Sequence, residues 1–330
     1  MPQAGQSNDA TLLRIENLKT HFAVPDGIVK AVDGVSFSVG EGEVLGLVGE
    51  SGSGKSMTCR SIIRLVPPPG RIVGGHVYYR GDDVLEWPEA KLSQFRGREV
   101  SMILQEPMTA LNPVLSIGEQ IVETIRQHED VSTNDARERA VALLRMVGIP
   151  EPQRRLGDYP HQFSGGMRQR AMIAIALACS PKVLLADEPT TALDVTIQDQ
   201  IIRLVQELQE RLGMSVVWVT HDLGVVAQLC HRVAVMYAGK IMELADVVDL
   251  FENSRHPYTI GLMESIPKSA ARGSRLVPIP GQPPNLLNLP GGCPFAPRCR
   301  YATEDCANTE VALQEVSPGH YSACIRSNEI

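Results

Sequence analysis

The sequence predicts an α/β protein built on a mostly parallel sheet, with an inserted helical subdomain and an irregular C-terminal module. Over the first 250 residues, short apolar runs alternate with helical patterns, as in such a sheet. From about residue 106 to 181 the pattern is helical, without a clear strand. Beyond about residue 251 the composition changes, because ten of the 23 prolines and four of the seven cysteines lie between His256 and the end. We therefore predict a first domain over 1–250, with the helical subdomain at about 106–181, and a second module over 251–330.

The composition argues against several classes of protein. The 330 residues carry a formal net charge of −7, whereas nonspecific nucleic-acid binding needs clustered lysine and arginine. No apolar run approaches the roughly 18 residues of a membrane-spanning helix, and the N-terminus lacks the basic and apolar regions of a secretory signal. We therefore expect no nucleic-acid partner and a cytoplasmic location, where thiols stay reduced.

A glycine-rich turn between a buried strand and a helix predicts a phosphate site. The apolar run 44–48 is followed by GESGSGKS at 49–56, and a helix is predicted from Lys55 to Val66. Glycines let the backbone wrap an oxyanion, and the helix adds its positive end. A merely flexible turn is the competing interpretation. The candidate phosphate ligands are Gly49, Ser51, Gly52, Ser53, Gly54, Lys55 and Ser56, of which Lys55 should reach the β- and γ-phosphates and Ser56 should ligate Mg²⁺.

An acidic pair supplies the second element that a metal-bound triphosphate needs. Four apolar residues at 183–186 form a predicted strand that ends in Asp187 and Glu188. Ligands bind at the carboxyl end of strands in such sheets, so Asp187 should hold Mg²⁺. Glu188 is the candidate to orient or deprotonate the attacking water. Many strands end in two acidic residues, so the pair alone is weak evidence for a metal site. It becomes strong evidence because the same chain has a phosphate loop.

A second anion-binding helix start lies at FSGGMRQR, residues 163–170. Ser164, Gly165 and Gly166 open this helix. By itself an ordinary capped helix explains the pattern. One chain has no evident need for two phosphate cradles, but two chains placed head to tail could each give one cradle to the same ATP.

Residues 11–265 resemble the ATPase subunits of ABC transporters, because every motif of that family occurs in order. The resemblance implies a phosphate-loop ATPase fold that binds ATP and Mg²⁺ and converts ATP and water to ADP and phosphate. It implies that Phe22 stacks on adenine, although residues Ala23 to Lys30 lengthen the turn that follows. It also implies that Gln105 senses Mg²⁺ and water, and that His221 contacts the γ-phosphate.

Two further segments match the family's dimer contacts. The resemblance implies that residues 164–166 grip the partner's ATP, and that the loop Ala192-Leu193-Asp194 crosses the dimer interface. Met167 departs from the glutamine that is commonest in the family, which weakens the side-chain contacts of this signature but keeps Ser164 and the backbone.

The form FSGGMRQR, the segment His256-Pro257-Tyr258 and the proline-rich tail are similar to the D-type ATPase of oligopeptide and dipeptide permeases. That group implies peptide import, with a second related ATPase subunit in a heterodimer, two membrane permeases and an extracytoplasmic peptide-binding protein. It places the chain at the cytoplasmic face of the inner membrane. Residues 107–113 and the helix at about 116–127 correspond to the face that docks the permeases.

Four cysteines in the tail predict a metal site. In a cytoplasmic chain this grouping favours metal over disulfides. The wide, uneven spacing lacks the close pairs of structural zinc sites and fits a four-thiolate iron–sulfur cluster better, with zinc or free thiols as alternatives. Tails of the resembled ATPases can carry a [4Fe–4S] cluster on matching cysteines. His320 is an alternative ligand, whereas Cys59, Cys179 and Cys230 should be inert core thiols. The four candidate ligands are Cys293, Cys299, Cys306 and Cys324.

Three other functions compete with peptide import. Nickel import by a related permease is the nearest. ABC ATPases of DNA repair or translation carry coiled-coil insertions or two ATPase halves, and this chain has neither. An iron–sulfur electron carrier would need a second cofactor motif. We also expect nucleotide binding to survive loss of the cysteine site, because the two were assigned to separate domains.

Overall fold

The computed structural model describes residues 11–191, 193–265 and 278–330. Its contacts divide the chain into two compact units. The first unit comprises Met1–Val39, Val44–Leu85 and Thr220–Ile330, and the second comprises Gly40–Glu43 and Glu86–Val219. The contacts therefore group residues 251–330 with the segment that carries the phosphate loop, whereas the sequence predicted a separate module from residue 251.

The N-terminal part of the first unit combines an antiparallel sheet with a strand, a loop and a helix. The antiparallel strands follow the order β2-β1-β4-β5. The predicted long turn at Ala23 to Lys30 is wrong, because these residues extend β1 and β2 around a tight turn at residues 25–26. The helix after the loop ends at Ile62, earlier than predicted. The elements are β1 (Thr11–Val24), β2 (Gly27–Gly40), β3 (Val44–Val48), α1 (Lys55–Ile62), β4 (Gly70–Tyr79) and β5 (Asp82–Asp83).

The second unit contains three parallel strands and the predicted helical block. Strand β7 lies between β6 and β8, and its residues are buried from end to end. No strand occurs between residues 106 and 181, which confirms the predicted helical insertion. The elements are α2 (Glu89–Phe95), β6 (Val100–Ile103), α3 (Pro107–Ala110), α4 (Ile117–His128), α5 (Thr133–Met146), α6 (Pro152–Arg155), α7 (Gly165–Ala176), β7 (Val183–Asp187), α8 (Val195–Leu212) and β8 (Ser215–Thr220).

The rest of the first unit completes a mixed sheet in the order β11-β12-β10-β9-β3. Strand β9 pairs in parallel with β3, and β12 pairs antiparallel with β10. The C-terminal segment thus adds two strands to a sheet that begins beside the phosphate loop. The elements are α9 (Leu223–Leu229), β9 (Arg232–Tyr237), β10 (Lys240–Asp246), α10 (Val247–Glu252), α11 (Pro257–Glu264), α12 (Glu304–Asn308), β11 (Gln314–Ser317) and β12 (His320–Ser322).

A fully buried carboxylate fastens the C-terminal segment. Glu243 on β10 accepts hydrogen bonds from the backbone N–H groups of Arg255 and His256 and lies 2.7 Å from Nε2 of His320. A buried carboxylate is stable only when its oxygens are paired in this way. The network ties β10 to the backbone at residues 255–256 and to β12.

Within the described residues, no helix combines the length and the apolar character that crossing a bilayer requires.

Candidate functional site

The phosphate loop joins β3 to α1 and has room only for glycine at two positions. Gly49 has φ 152° and Gly54 has φ 105°. A Cβ added at Gly49 would lie 2.1 Å from the carbonyl oxygen of Met236, and one added at Gly54 would lie 2.2 Å from that of Ala31. Backbone atoms cannot yield at such distances, so both glycines are required for this path of the loop.

The loop holds a cation at its centre. The Nζ of Lys55 donates to the carbonyl oxygens of Gly49, at 2.7 Å, and Glu50, at 2.9 Å. Lys55 is buried, and Ser56 follows it in the first turn of α1. A buried ammonium, a helix start and a glycine-rich backbone together form a binding site for a polyanion such as a polyphosphate.

The carboxyl end of β7 carries the predicted catalytic group of the second unit. Oε2 of Glu188 accepts from Nε2 of Gln105 at 3.1 Å and from Oγ1 of Thr191 at 2.8 Å. Asp187 precedes it and is buried. The structure therefore brings together Gln105 and Glu188, which are 83 residues apart. Thr191 was not predicted from the sequence, although its place one turn beyond Glu188 could have indicated it.

Glu188 also has an unusual backbone. Its backbone φ of 45° lies in the left-handed region, which residues other than glycine seldom adopt. Its N–H donates to the carbonyl oxygen of Val219 at 3.1 Å, and this bond fixes the residue in place. Strained residues held by their surroundings are common at functional sites.

The two predicted dimer motifs both begin helices of the second unit. Ser164 caps α7, and its Oγ accepts from the N–H of Met167 at 3.3 Å. Asp194 caps α8 by accepting from the N–H of Ile197 at 3.0 Å. The first turns of the two helices pack together, because a Cβ added at Gly166 would lie 2.9 Å from Cγ2 of Ile197. Ala192 lies outside the described residues, and both helix starts act as ordinary caps in the single chain.

Phe22 and His221 lie in the first unit. Phe22 is half-buried on β1 and faces Gly70 on β4, where an added Cβ would lie 2.5 Å from its Cε1. His221 is exposed between β8 and α9. Adenine stacking by Phe22 and γ-phosphate contact by His221 remain predictions.

All four cysteines of the tail line one cavity. Burial raises the pKa of the Cys293 thiol to about 11, and it also raises the pKa of Cys299 and Cys324. Backbone N–H groups point at the sulfurs: that of Thr303 lies 3.5 Å from Sγ of Cys306, and that of Arg326 lies 3.4 Å from Sγ of Cys324. The N–H of Arg326 favours the thiolate form of Cys324, which a bound metal would create.

His256 lines the same cavity with an unsatisfied donor. Its Nδ1 accepts from the N–H of Tyr258 at 3.0 Å, and burial lowers the pKa of the ring to about 3. The neutral ring must therefore carry its hydrogen on Nε2, which has no hydrogen-bond partner among the residues that the structure describes. A buried donor without an acceptor is costly, so an acceptor inside the cavity would stabilise this arrangement.

The cysteine cavity does not have the geometry of a single-ion site. In the part of the chain that the structure describes, no three His, Cys, Asp or Glu side chains are arranged to hold one metal ion. His320 does not line the cavity and is paired with Glu243, so the alternative in which it is a ligand is wrong. The remaining three cysteines are buried, as predicted.

Two family models match the chain in sequence order. The model described as "ABC transporter" matches residues 32–191, and the one described as "Oligopeptide/dipeptide transporter, C-terminal region" matches residues 242–306. The two matched regions contain the phosphate loop, the acidic pair and three of the four clustered cysteines.

Relatives and solved structures agree with these models. The chain is 52% identical to "Probable peptide ABC transporter ATP-binding protein y4tR" of Sinorhizobium fredii, covering 97% of this chain and 96% of that protein. It is 48% identical to "Oligopeptide transport ATP-binding protein OppD" of Escherichia coli, covering 100% of this chain and 97% of that protein. A dimeric post-hydrolysis structure of the ATP-binding cassette MJ0796, bound to ADP and Pi, is 29% identical with a TM-score of 0.64, covering 71% of this chain and 98% of that one.

Proposed function

The chain belongs to the ATP-binding proteins of peptide ABC transporters, and we propose that it hydrolyses ATP to energise the import of oligopeptides or dipeptides. Both family models and the named relatives support this function. The names of the relatives favour peptides over nickel. The observation that best supports ATP hydrolysis is the geometry of Glu188. Its backbone has a strained left-handed φ, its carboxylate accepts a hydrogen bond from Gln105, and it directly follows a buried aspartate.

Glu188 acts as the general base in this proposal. Its carboxylate accepts a proton from water while the water oxygen bonds to the γ-phosphorus and the bond from that phosphorus to the β,γ-bridging oxygen breaks. ADP leaves with that oxygen, and phosphate forms. Gln105 and Thr191 hold the carboxylate in one orientation, so that its lone pair faces the water.

Other residues bind the nucleotide. Lys55 exchanges the loop carbonyls for the β- and γ-phosphate oxygens, and His221 contacts the γ-phosphate. Ser56 and Asp187 are the side chains that would hold Mg²⁺, which neutralises charge on the triphosphate when it is bound. Phe22 supplies an aromatic face for adenine.

A second ATPase subunit completes the ATP site in this proposal. Ser164, Gly165 and Gly166 begin a 12-residue helix, and Ser164 is exposed. Helix N–H groups and a serine hydroxyl suit a phosphate that belongs to another chain. Asp194, which starts α8, would line the same interface. We propose a heterodimer with a related ATPase subunit.

Two permease subunits would bind the helical part of the second unit. Met108 is 59% exposed and Val114 is 75% exposed, and both belong to or border the predicted docking segment 107–113. Exposed apolar side chains this close together are typical of contact surfaces. The chain would then lie at the cytoplasmic face of the inner membrane as a peripheral subunit, while an extracytoplasmic protein delivers the peptide.

The cysteine cavity would hold a [4Fe–4S] cluster through Cys293, Cys299, Cys306 and Cys324. Four thiols on one cavity, the N–H groups directed at the sulfurs and the unpaired Nε2 of His256 support this proposal. The cluster would cross-link an irregular segment, since ligation free energy is also folding free energy. Anaerobically purified protein should contain about four irons per chain. One zinc and no iron would refute the cluster.

Peptide import is tested in proteoliposomes that contain the chain with its permeases and second ATPase. Luminal ATP should drive uptake of a labelled tripeptide that is supplied with the binding protein, and luminal ADP should not. Uptake of nickel but not of any peptide, under the same conditions, would overturn the assignment.

A further inference from the structure

A partly buried ion pair joins the cysteine segment to the phosphate loop. Arg298 lies between two of the clustered cysteines in the sequence, and its guanidinium donates to both carboxylate oxygens of Glu50, at 2.7 and 3.0 Å. Glu50 is the second residue of the loop GESGSGKS. The two residues are 248 positions apart, and both belong to the first unit. A bidentate pair of this kind fixes position and orientation together.

Arg298 is itself held firmly. Its side chain is 7% exposed. Its Nε donates to the carbonyl oxygen of Pro280 at 2.9 Å, and its Nη1 also donates to Oη of Tyr237 at 3.1 Å. The ring of Phe295, in the same turn, packs edge-on against Tyr237 at 5.4 Å between centroids. The arginine therefore cannot follow the loop if the loop moves, and instead restrains it.

A second contact fixes the backbone of the same loop residue. The N–H of Glu50 donates to Oη of Tyr258 at 2.9 Å. Tyr258 is fully buried at the start of α11, and its ring lies 4.6 Å from that of Tyr237. Both the side chain and the backbone of Glu50 are therefore bonded to residues that follow position 250.

The pair also neutralises the negative charge that Glu50 brings to the phosphate loop. The carbonyl oxygen of Glu50 accepts from Nζ of Lys55, so Glu50 is part of the cage around the phosphate-binding cation. A carboxylate in a loop that binds a polyanion would repel the ligand unless a cation neutralised it. Arg298 supplies that cation. If Arg298 is removed, the Glu50 carboxylate keeps its charge in a partly buried position, and no cation compensates that charge.

We propose that Arg298 and Tyr258 are positioning residues for ATP, which hold the phosphate loop in its binding conformation through Glu50 and cancel the charge of that residue. The proposal rests on the ATP-binding function proposed above. It makes Tyr258 and Arg298, which both follow position 250, structural parts of the nucleotide site.

The test measures the affinity of the full chain for a fluorescent ATP analogue, and the KM for ATP of the assembled transporter. Arg298→Gln should weaken ATP binding about tenfold, which corresponds to about 1.4 kcal/mol. It should raise KM similarly and leave kcat within about threefold, because the residue acts on binding. Arg298→Lys should recover only part of the affinity, since a lysine keeps the charge but not the forked geometry.

The double variant Glu50→Gln/Arg298→Gln distinguishes two causes of weaker ATP binding: repulsion by the uncompensated Glu50 carboxylate and general damage to the fold. Once the carboxylate is gone, no uncompensated charge faces the phosphates, so the double variant should bind ATP better than Arg298→Gln alone. The deficit of Arg298→Gln should also shrink at high salt, which screens the repulsion. A loss that comes only from unfolding would show neither recovery.

Arg300→Gln is the matched control. Arg300 also makes a bidentate pair, with Glu264 at 2.8 and 2.6 Å, but not with the phosphate loop. This variant should bind ATP as the wild type does. Equal affinity of Arg298→Gln and wild type would overturn the proposal, as would an equal loss in both arginine variants. Failure of the wild type to bind ATP would instead refute the proposed function.

Discussion

Substituting glycines of the phosphate loop by alanine tests whether the geometry of the loop determines nucleotide affinity. In Gly49→Ala the new Cβ would lie 2.1 Å from the carbonyl oxygen of Met236, at φ 152°. Met236 is buried within β9, so its carbonyl cannot move away without breaking that strand. The loop must shift instead, by more than about 1 Å, to reach the roughly 3.3–3.6 Å of the closest carbon–oxygen contacts.

The expected loss is large because the shift moves the N–H groups that face the phosphates. A displacement of about 1 Å can cost about 100-fold in the rate of a positioned reaction, and we expect a loss of about the same size in the affinity of Gly49→Ala for the fluorescent ATP analogue. Gly81→Ala is the control. Gly81 has φ 88°, and an added Cβ meets nothing within 4 Å. This variant should therefore lose only about 1–2 kcal/mol of stability, from backbone strain.

The assay pairs an ATP titration with a thermal melt of each full-length variant. Gly49→Ala should lose affinity, and Gly81→Ala should lose a little stability but no affinity. Binding of ATP by Gly49→Ala within threefold of the wild type, with an unchanged melting temperature, would refute the argument from loop geometry.

The remaining predictions concern the catalytic glutamate, the buried carboxylate and the cysteine site. Thr191→Val removes one hydrogen bond to Glu188, worth about 1 kcal/mol, so ATP turnover should fall roughly fivefold with little change in binding; unchanged turnover would exclude a role for that hydroxyl. Glu243→Leu leaves three buried donors without an acceptor, each costing about 1–3 kcal/mol, so the free energy of unfolding should fall by at least about 3 kcal/mol in a denaturant titration; a loss below 1 kcal/mol would contradict the network. Under the proposal that the cysteine cavity holds an iron–sulfur cluster, Cys299→Ser should remove the iron and raise KM for ATP, because Arg298 is its sequence neighbour; iron loss with an unchanged KM would show that the cysteine site and the phosphate loop are independent.

The nucleotide-binding elements could be predicted from the sequence because their signals are local. The buried strand, the glycine loop and the helix at Lys55 are consecutive, and each has a strong sequence pattern. The acidic pair likewise follows an apolar strand directly. Family order then identified Gln105 from its place at a strand end, and in the structure its amide donates to Glu188.

The attachment of the C-terminal segment could not be predicted, because its contacts join distant residues of unrelated pattern. The sequence around Arg298 does not indicate a partner 248 residues away. The sequence of β10 likewise does not indicate that Glu243 forms a hydrogen bond with His320. The sequence pattern therefore predicted a separate C-terminal module, and it predicted that loss of the cysteine site would spare nucleotide binding. The contacts of Arg298 and Tyr258 with Glu50 give a physical reason to expect the opposite.

The turn after Phe22 shows a different limit. Residues 23–30 contain Pro25, Asp26 and Gly27, which are typical of a turn, and the length of the segment suggested an insertion. In the structure only residues 25–26 turn, and the rest pair as strands. Composition locates a turn, but the number of residues that join the ladders depends on cross-strand partners that the local pattern does not reveal.

The most direct test of the central claim is ATP turnover by Glu188→Gln in the assembled transporter, measured as phosphate release together with ATP binding and peptide uptake. Removal of a positioned general base typically costs about 10²–10⁴-fold, so turnover and uptake should fall at least about 100-fold while ATP affinity stays within threefold. Glu207→Gln, the same substitution at an exposed position of α8, should leave all three unchanged. Phosphate release by Glu188→Gln at a rate near that of the wild type would contradict the account.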